Sequence, residues 1–363
     1  MATKLTSAAV KAMVLLALFA AGVWLVLTIY RASDSDYLLQ DYPNRLARVL
    51  STEPVAFTPL ELELTPLSGR ATASAMQAYQ LSVRQWWQLK PCQLNDRLAE
   101  RNSNLGRVQS PSVRLSYEID MLQALMRCAS DTQPTETRDL LLELLSHKRQ
   151  QLRQVWQHMW LKEPALTKLV TPAHSHFDFG QQGDSEITAV EQALQYLITV
   201  SEAIAVLANP QSDNNQLSAL NWDSDLFEQH LKVLFHSDVV PQILHSQHQA
   251  IASLSMSSAL LQANQQLCND GQHNRSSKLT KAFFGQYYLG TIQPLLGEVK
   301  RASDRLTPLM LKLLTNTPSH YQVRFHQIHQ QQRFVEVIKA HSKQWQQLFA
   351  HCGVTSGEQL KSR

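Results

Sequence analysis

The stretch LLLELLSHKRQQLRQVWQHM, residues 140–159, decides the fold class. Leu141, Leu144, Leu145, Leu152, Val155 and Met159 fall at helical spacings and put one apolar stripe on a 3.6-residue repeat. The same pattern recurs at Ile187, Val190, Leu194, Leu197 and Ile204. It returns at Phe325, Ile328, Val335, Ile338, Trp345, Leu348 and Cys352. Ser110-Pro111 and Thr317-Pro318 are start signals, each a capping residue followed by a Pro suited to the first helical turn. The spacing predicts helices near 35–50, 71–89, 93–105, 111–129, 135–161, 185–208, 224–236, 239–267, 277–316 and 318–351. Pro294 and Pro308 should kink or split the ninth. The one extended candidate is Val55 to Leu67, which Pro54, Pro59 and Pro66 demote to an edge strand or a linker. The expected fold is all-α, a bundle-like body of many helices.

The turn-rich stretch Ala208 to Asn221 predicts a boundary between a lobe over 71–208 and a second over 222–352. Residues 31–70 read as a helix and a Pro-rich extended linker, and residues 353–363 as a frayed tail.

Between Lys11 and Arg31 lie 19 uncharged residues, Ala12 to Tyr30. As a helix they span about 28 Å, close to the hydrocarbon thickness of a bilayer. Lys4 and Lys11 before the stretch place residues 1–11 in the cytoplasm, and the body after Arg31 across the membrane. The apolar core is longer than that of a cleavable signal peptide, and candidate cleavage points put Leu18, Phe19 or Tyr30 where a small residue is wanted. A retained single-pass anchor at 12–30 is the expectation, with signal cleavage as the alternative.

The 363 residues are 44% apolar and 17% charged, with a net charge of +3, which argues against disorder and against electrostatic capture of nucleic acid. Polarity comes instead from Gln, Ser, Asn and His. With 11 glycines there is no glycine-rich phosphate loop, no nucleophile elbow and no zinc-protease motif, so no nucleotide and no cofactor are expected. Cys92, Cys128, Cys268 and Cys352 form no C-x-x-C pair. They allow three connectivities. An exported body favours disulfides over buried thiols, with Cys92–Cys128 and Cys268–Cys352 the preferred pairing; each would be worth about 4 kcal/mol in the chain-entropy model.

Three groups are candidate sites. Glu100, Arg101, Asn102, Asn104 and Arg107 crowd charged and amide groups into one turn. They suit a polar ligand or a helix end, with Gly106 in the left-handed position after the helix. The aromatic run Phe283 to Leu289 offers Tyr287 and Tyr288 as groove-lining hydroxyls or as packed core. His174, His176 and Asp178 alternate as metal ligands can, although a polar loop explains them equally. His245/His248 and His326/His329 read as solvated helix faces, and Trp86-Trp87 and Trp156/Trp160 as core anchors.

The segments Tyr42 to Leu50, Cys92 to Val108, Pro111 to Cys128, Phe284 to Pro294 and Trp345 to Gly353 resemble a family of uncharacterised proteobacterial envelope proteins, domain of unknown function 3080. The resemblance implies export and oxidised cysteines, and it transfers no catalytic residue. Family members are often lipoproteins, whereas this chain has no amino-terminal lipobox Cys. The expected function is a non-enzymatic binding or scaffolding module of the envelope. It would be held in the inner membrane with its body in the periplasm, and its partner would be another envelope protein. The alternatives are an enzyme or small-ligand binder at Glu100–Arg107 and a metal site at His174/His176/Asp178.

Overall fold

The computed structural model describes residues 35–67, 79–131, 134–177, 183–209, 222–266 and 275–352, and every regular element among them is helical. Helix α1 is Ser35–Val49; α2 is Val83–Gln88, α3 Leu94–Asn102 and α4 Asn104–Arg107. The long hairpin follows as α5 Pro111–Ser130 and α6 Thr135–Lys162, then α7 Pro164–Lys168 and α8 Gly183–Leu207. The rest is α9 Ser224–His236, α10 Val239–Ala263, α11 Arg275–Phe283, a π-helix Phe284–Ile292, α12 Gln293–Leu314, α13 Ser319–Ile328 and α14 Gln331–His351. The 12–30 segment, the 353–363 tail, Cys268 and Asp178 lie outside the described residues.

Local chemistry sets the helix starts. The Ser110 Oγ accepts the Val113 N–H at 3.3 Å ahead of Pro111, and Asp223 Oδ1 accepts from Asp225 and Leu226 at 2.9 and 3.0 Å. Within the helix expected over 71–89, the described residues turn helical only at Val83, where Ser82 and Gln85 close a capping box. The helix expected over 318–351 breaks at His329. Its ring stacks on Phe325 at 5.0 Å and bonds Thr307 at 3.2 Å, while its backbone is extended. The helix expected over 277–316 is split at Pro294, which sits in the first turn of α12, while Pro308 lies inside α12. An α-helical turn would drive the Pro294 ring against the Gly290 carbonyl, and the wider π turns end at Gln293 instead.

Two buried clusters organise the body. The first gathers α5 to α9, the start of α10, the later part of α12 and α13. At its centre Trp156 and Trp160 meet edge-on at 5.9 Å, Trp160 meets Tyr321 at 5.5 Å, and the Trp156 indole donates to the Asn316 carbonyl at 3.1 Å. The second holds α1, the later half of α10, the π-helix, the start of α12 and α14. Helices α10 and α12 run through both. The Pro-rich segment stays extended and straps them together: Leu60 packs on the second cluster, and Leu64 and Leu67 on the first. Thr65 exchanges backbone bonds with the Gln327 and Arg324 side chains at 2.9 Å each. Residues on both sides of 208–221 share the first cluster, since α9 packs on α8.

Two surface expectations are corrected. Helix α10 has no solvated polar face over its centre: Ser246, Gln247, His248, Ser253 and Ser257 are all buried. Several of these groups have internal partners: Gln247 Nε2 donates to Ser303 Oγ at 2.7 Å, Ser253 Oγ to the Leu39 carbonyl at 2.6 Å, and His248 Nε2 lies 2.6 Å from the Ile328 carbonyl. Trp87 is 60% exposed, with the Lys90 ammonium 5.1 Å above its ring, so it anchors no core. Helix α8 is the one described helix long and apolar enough to cross a membrane, yet half of its apolar window is buried against neighbours.

Helix α1 carries Pro43 in its interior, which removes the N–H that would bond the Leu39 carbonyl. The buried Ser253 hydroxyl of α10 donates to that carbonyl at 2.6 Å and replaces the missing bond. Ser253→Ala should therefore cost about 1–3 kcal/mol in urea unfolding. The cost should shrink in a Pro43→Ala background, where the restored N–H serves Leu39. An undiminished cost in the double variant would show that Ser253 acts elsewhere.

Candidate functional site

Helix α1 has two faces. Leu38, Leu39, Tyr42 and Leu46 are buried in the second cluster. Tyr37, Asp41, Arg45 and Arg48, spaced four, four and three apart, line the opposite side. The π-helix and the end of α11 face them with Phe283, Gln286 and Tyr287, and Val49 closes one end. The result is a groove of about 630 Å³. Π-helices are rare and mostly single-turn insertions, often at functional sites. This one runs nine residues.

Charge in the groove is organised around Asp41. Arg45 Nε lies 2.5 Å from one of its oxygens and Arg48 3.7 Å from the other. The Arg45 guanidinium also covers the Tyr287 ring at 4.8 Å. Burial pushes the Tyr287 phenol up to about 12 against the opposing pull of Arg45, so it remains a hydrogen-bond donor at neutral pH. Arg48 is the loosest member, its side chain 60% exposed and its Nε 3.4 Å from the Asn44 carbonyl.

Beneath the groove lies a closed polar network. Tyr42, Trp345 and His341 are essentially unexposed. The Trp345 indole N–H lies 3.0 Å from His341 Nε2 and 3.2 Å from the Tyr42 hydroxyl, which itself lies 2.8 Å from His341 Nε2. An indole nitrogen only donates, so Nε2 is the acceptor and the ring proton sits on Nδ1. Nδ1 then donates to Ser258 Oγ at 3.0 Å. Burial holds His341 down to about 3, which keeps it neutral. Rings surround the network: Tyr42 stacks on Phe283, Tyr287 and Tyr288 at 5.9, 6.1 and 6.1 Å.

The sequence-derived candidates fall in three places. Tyr287 lines the groove, whereas Tyr288 is buried under it, with its hydroxyl 3.3 Å from Ser342 Oγ. Glu100, Asn102 and Asn104 are exposed. Arg101 donates to the Gly106 carbonyl, and Ser103 both donates to the Glu100 carbonyl at 2.7 Å and accepts the Gly106 N–H at 3.0 Å. This turn is thus a linked pair of helix caps, and Arg107 ends α4. Gly106 is not the left-handed residue expected after a helix. It sits inside α4, where a Cβ would lie 2.3 Å from the Glu100 carbonyl oxygen and 2.5 Å from that of Arg101.

His174 is exposed and His176 buried. His176 meets α1 rather than its sequence neighbours: its N–H donates to Asp36 Oδ2 at 3.0 Å, and His245 Nε2 lies 2.9 Å from Asp36 Oδ1. Burial would raise the Asp36 carboxyl, but its bond and charge interaction with His245 and the nearby His176 bring it below its ordinary value. Burial holds His176 down to about 4 against the opposing pull of Asp36. Among the described residues no group of three His, Cys, Asp or Glu side chains is arranged to hold a metal ion. Cys92 and Cys128 form a disulfide with Cα atoms 5.8 Å apart, and Cys352 is also disulfide-bonded.

Sequence reasoning missed Tyr37, Asp41, Arg45 and Arg48. The available signal was the alternation of charge and apolar residues along α1, with Tyr42-Pro43 at its centre.

These observations define a protein that is helical throughout its described residues, with an arginine- and tyrosine-lined groove over a buried aromatic core. The chain belongs to the family described as protein of unknown function, DUF3080, which it matches over residues 39–356. No curated protein and no solved structure matches it.

Two measurements check the chemistry of these sites. The folded protein keeps His341 and His176 neutral where the unfolded chain protonates them, so between about pH 6.5 and pH 3–4 the unfolded state binds more protons. Stability should be full above pH 7 and fall with pH by roughly 1 kcal/mol per unit for each histidine. His341→Gln should flatten that slope, and an unchanged slope would assign it to other groups. Gly106→Ala should destabilise the protein by at least about 2 kcal/mol, because the added methyl meets backbone rather than a movable side chain. A cost below about 0.5 kcal/mol, within the range of an ordinary surface substitution, would contradict the close approach.

Proposed function

We propose that this chain is a membrane-tethered, non-enzymatic binding module of the bacterial envelope, held in the inner membrane by residues 12–30 with its helical body in the periplasm. The groove between α1 and the π-helix is its binding face. That groove is the observation that carries the reading: it joins paired arginines, tyrosine hydroxyls and an apolar end on a rigid scaffold. The disulfide at Cys92–Cys128 supports an oxidising compartment. The uncharged stretch from Ala12 to Tyr30 supports the anchor. The Tyr42–His341 pair supports binding over catalysis, since both side chains are sealed from solvent. In the Glu100–Arg107 turn the Arg101 and Ser103 side chains serve the turn's own caps.

A photoreactive residue in place of Gln286, in the full chain expressed in cells, should give a discrete crosslinked envelope protein or lipid. The same residue at exposed Val83 should not. Protease added to cells should digest the body only after the outer membrane is opened. Crosslinking equal at both positions, or a body digested only after the inner membrane is lysed, would refute the proposal.

A further inference from the structure

We infer that the groove receives the headgroup phosphate of an anionic phospholipid from the membrane that anchors the chain. The inference rests on the reading of the groove as the binding face and of residues 12–30 as the anchor.

Charge complementarity is the first argument. The groove is lined by two guanidinium groups and one carboxylate, a net charge of +1. Asp41 is occupied from both sides, at 2.5 Å by Arg45 and at 3.7 Å by Arg48, so it orients the arginines. Arg45 is fixed further by the Tyr287 ring. Arg48 keeps most of its side chain in solvent, and its separation from Asp41 exceeds a hydrogen bond. A planar guanidinium fork held this loosely suits a phosphate, which it can grip through two parallel bonds. Tyr37, Tyr287 and Gln286 add neutral donors beside it.

Shape and tether decide between a lipid and a free anion. Val49 and Phe283 give the groove an apolar side that a phosphate ion would leave unused, and that a glycerol backbone and its first methylenes would cover. Tyr37 follows Tyr30 by seven residues. Even fully extended, that much chain reaches only about 25 Å. The α1 wall is therefore leashed to the bilayer surface, where the tether holds the groove at a high effective concentration of phospholipid headgroups.

The test uses the full chain in neutral detergent micelles, titrated separately with dihexanoyl phosphatidylglycerol, dihexanoyl phosphatidylcholine and inorganic phosphate. Phosphorus NMR line broadening reports binding. Phosphatidylglycerol should bind saturably and at least about tenfold tighter than the other two, since each tenfold step is a modest free-energy difference. Arg48→Glu should weaken it by about tenfold or more, Arg48→Lys should recover part of the loss, and the exposed Arg84→Glu should change nothing. Equal binding of phosphatidylcholine, or an Arg48→Glu variant that binds normally, overturns the inference. So does inorganic phosphate binding as tightly as the lipid, which would make the site one for a free anion. Protein crosslinks at Gln286 without lipid binding would remove the lipid and leave the binding module standing. Loss of both would remove both.

Discussion

Helix α1 stays on the body because of one hydroxyl and the rings around it. Tyr42 brings a phenol into a fully buried site, where an unpaired hydroxyl would be costly. His341 and the Trp345 indole meet it at 2.8 and 3.2 Å, and Ser258 completes the set from α10. The network joins α1, α10 and α14, three elements far apart in sequence, and it works only with His341 neutral. Low dielectric makes such a network strong when satisfied and damaging when broken. The groove above inherits its rigidity, because Phe283 and Tyr287 stack on the same Tyr42 ring.

The second attachment of α1 repeats the logic at smaller scale. Pro43 leaves a carbonyl orphaned and Ser253 supplies the bond from outside. At the helix start, Asp36 takes His245 and the His176 backbone. Each contact uses a polar group that an isolated helix would turn to water. Helix α1 is thereby built into the second cluster and is not a loose spacer.

How much of this could be read from sequence depends on the range of the forces involved. Pro111–Ser130 and Ser224–His236 lie within a residue of their expected spans, since caps and apolar periodicity are local signals. The break at His329 was not legible, because it comes from Thr307 and Phe325. The buried polar stripe of α10 reads as a solvated face in sequence for the same reason: Gln, Ser and His look alike on a surface and in a core. Among the candidate residues Tyr287 reached the groove, whereas His176 found Asp36 and His245 in place of its chain neighbours.

The sequence by itself determined the helical class, most helix boundaries and the scarcity of phosphate-binding loops, because propensity, capping and periodicity act over a few residues. Only the tertiary structure decided which polar residues face inward. It alone divided α10 and α12 between two cores, and it placed α1 against a π-helix to make a groove. Those outcomes depend on contacts between residues up to about 300 positions apart, as Tyr42 and His341 are, separated by 299. No local pattern carries that information, because the partner that satisfies a buried polar group is chosen by packing.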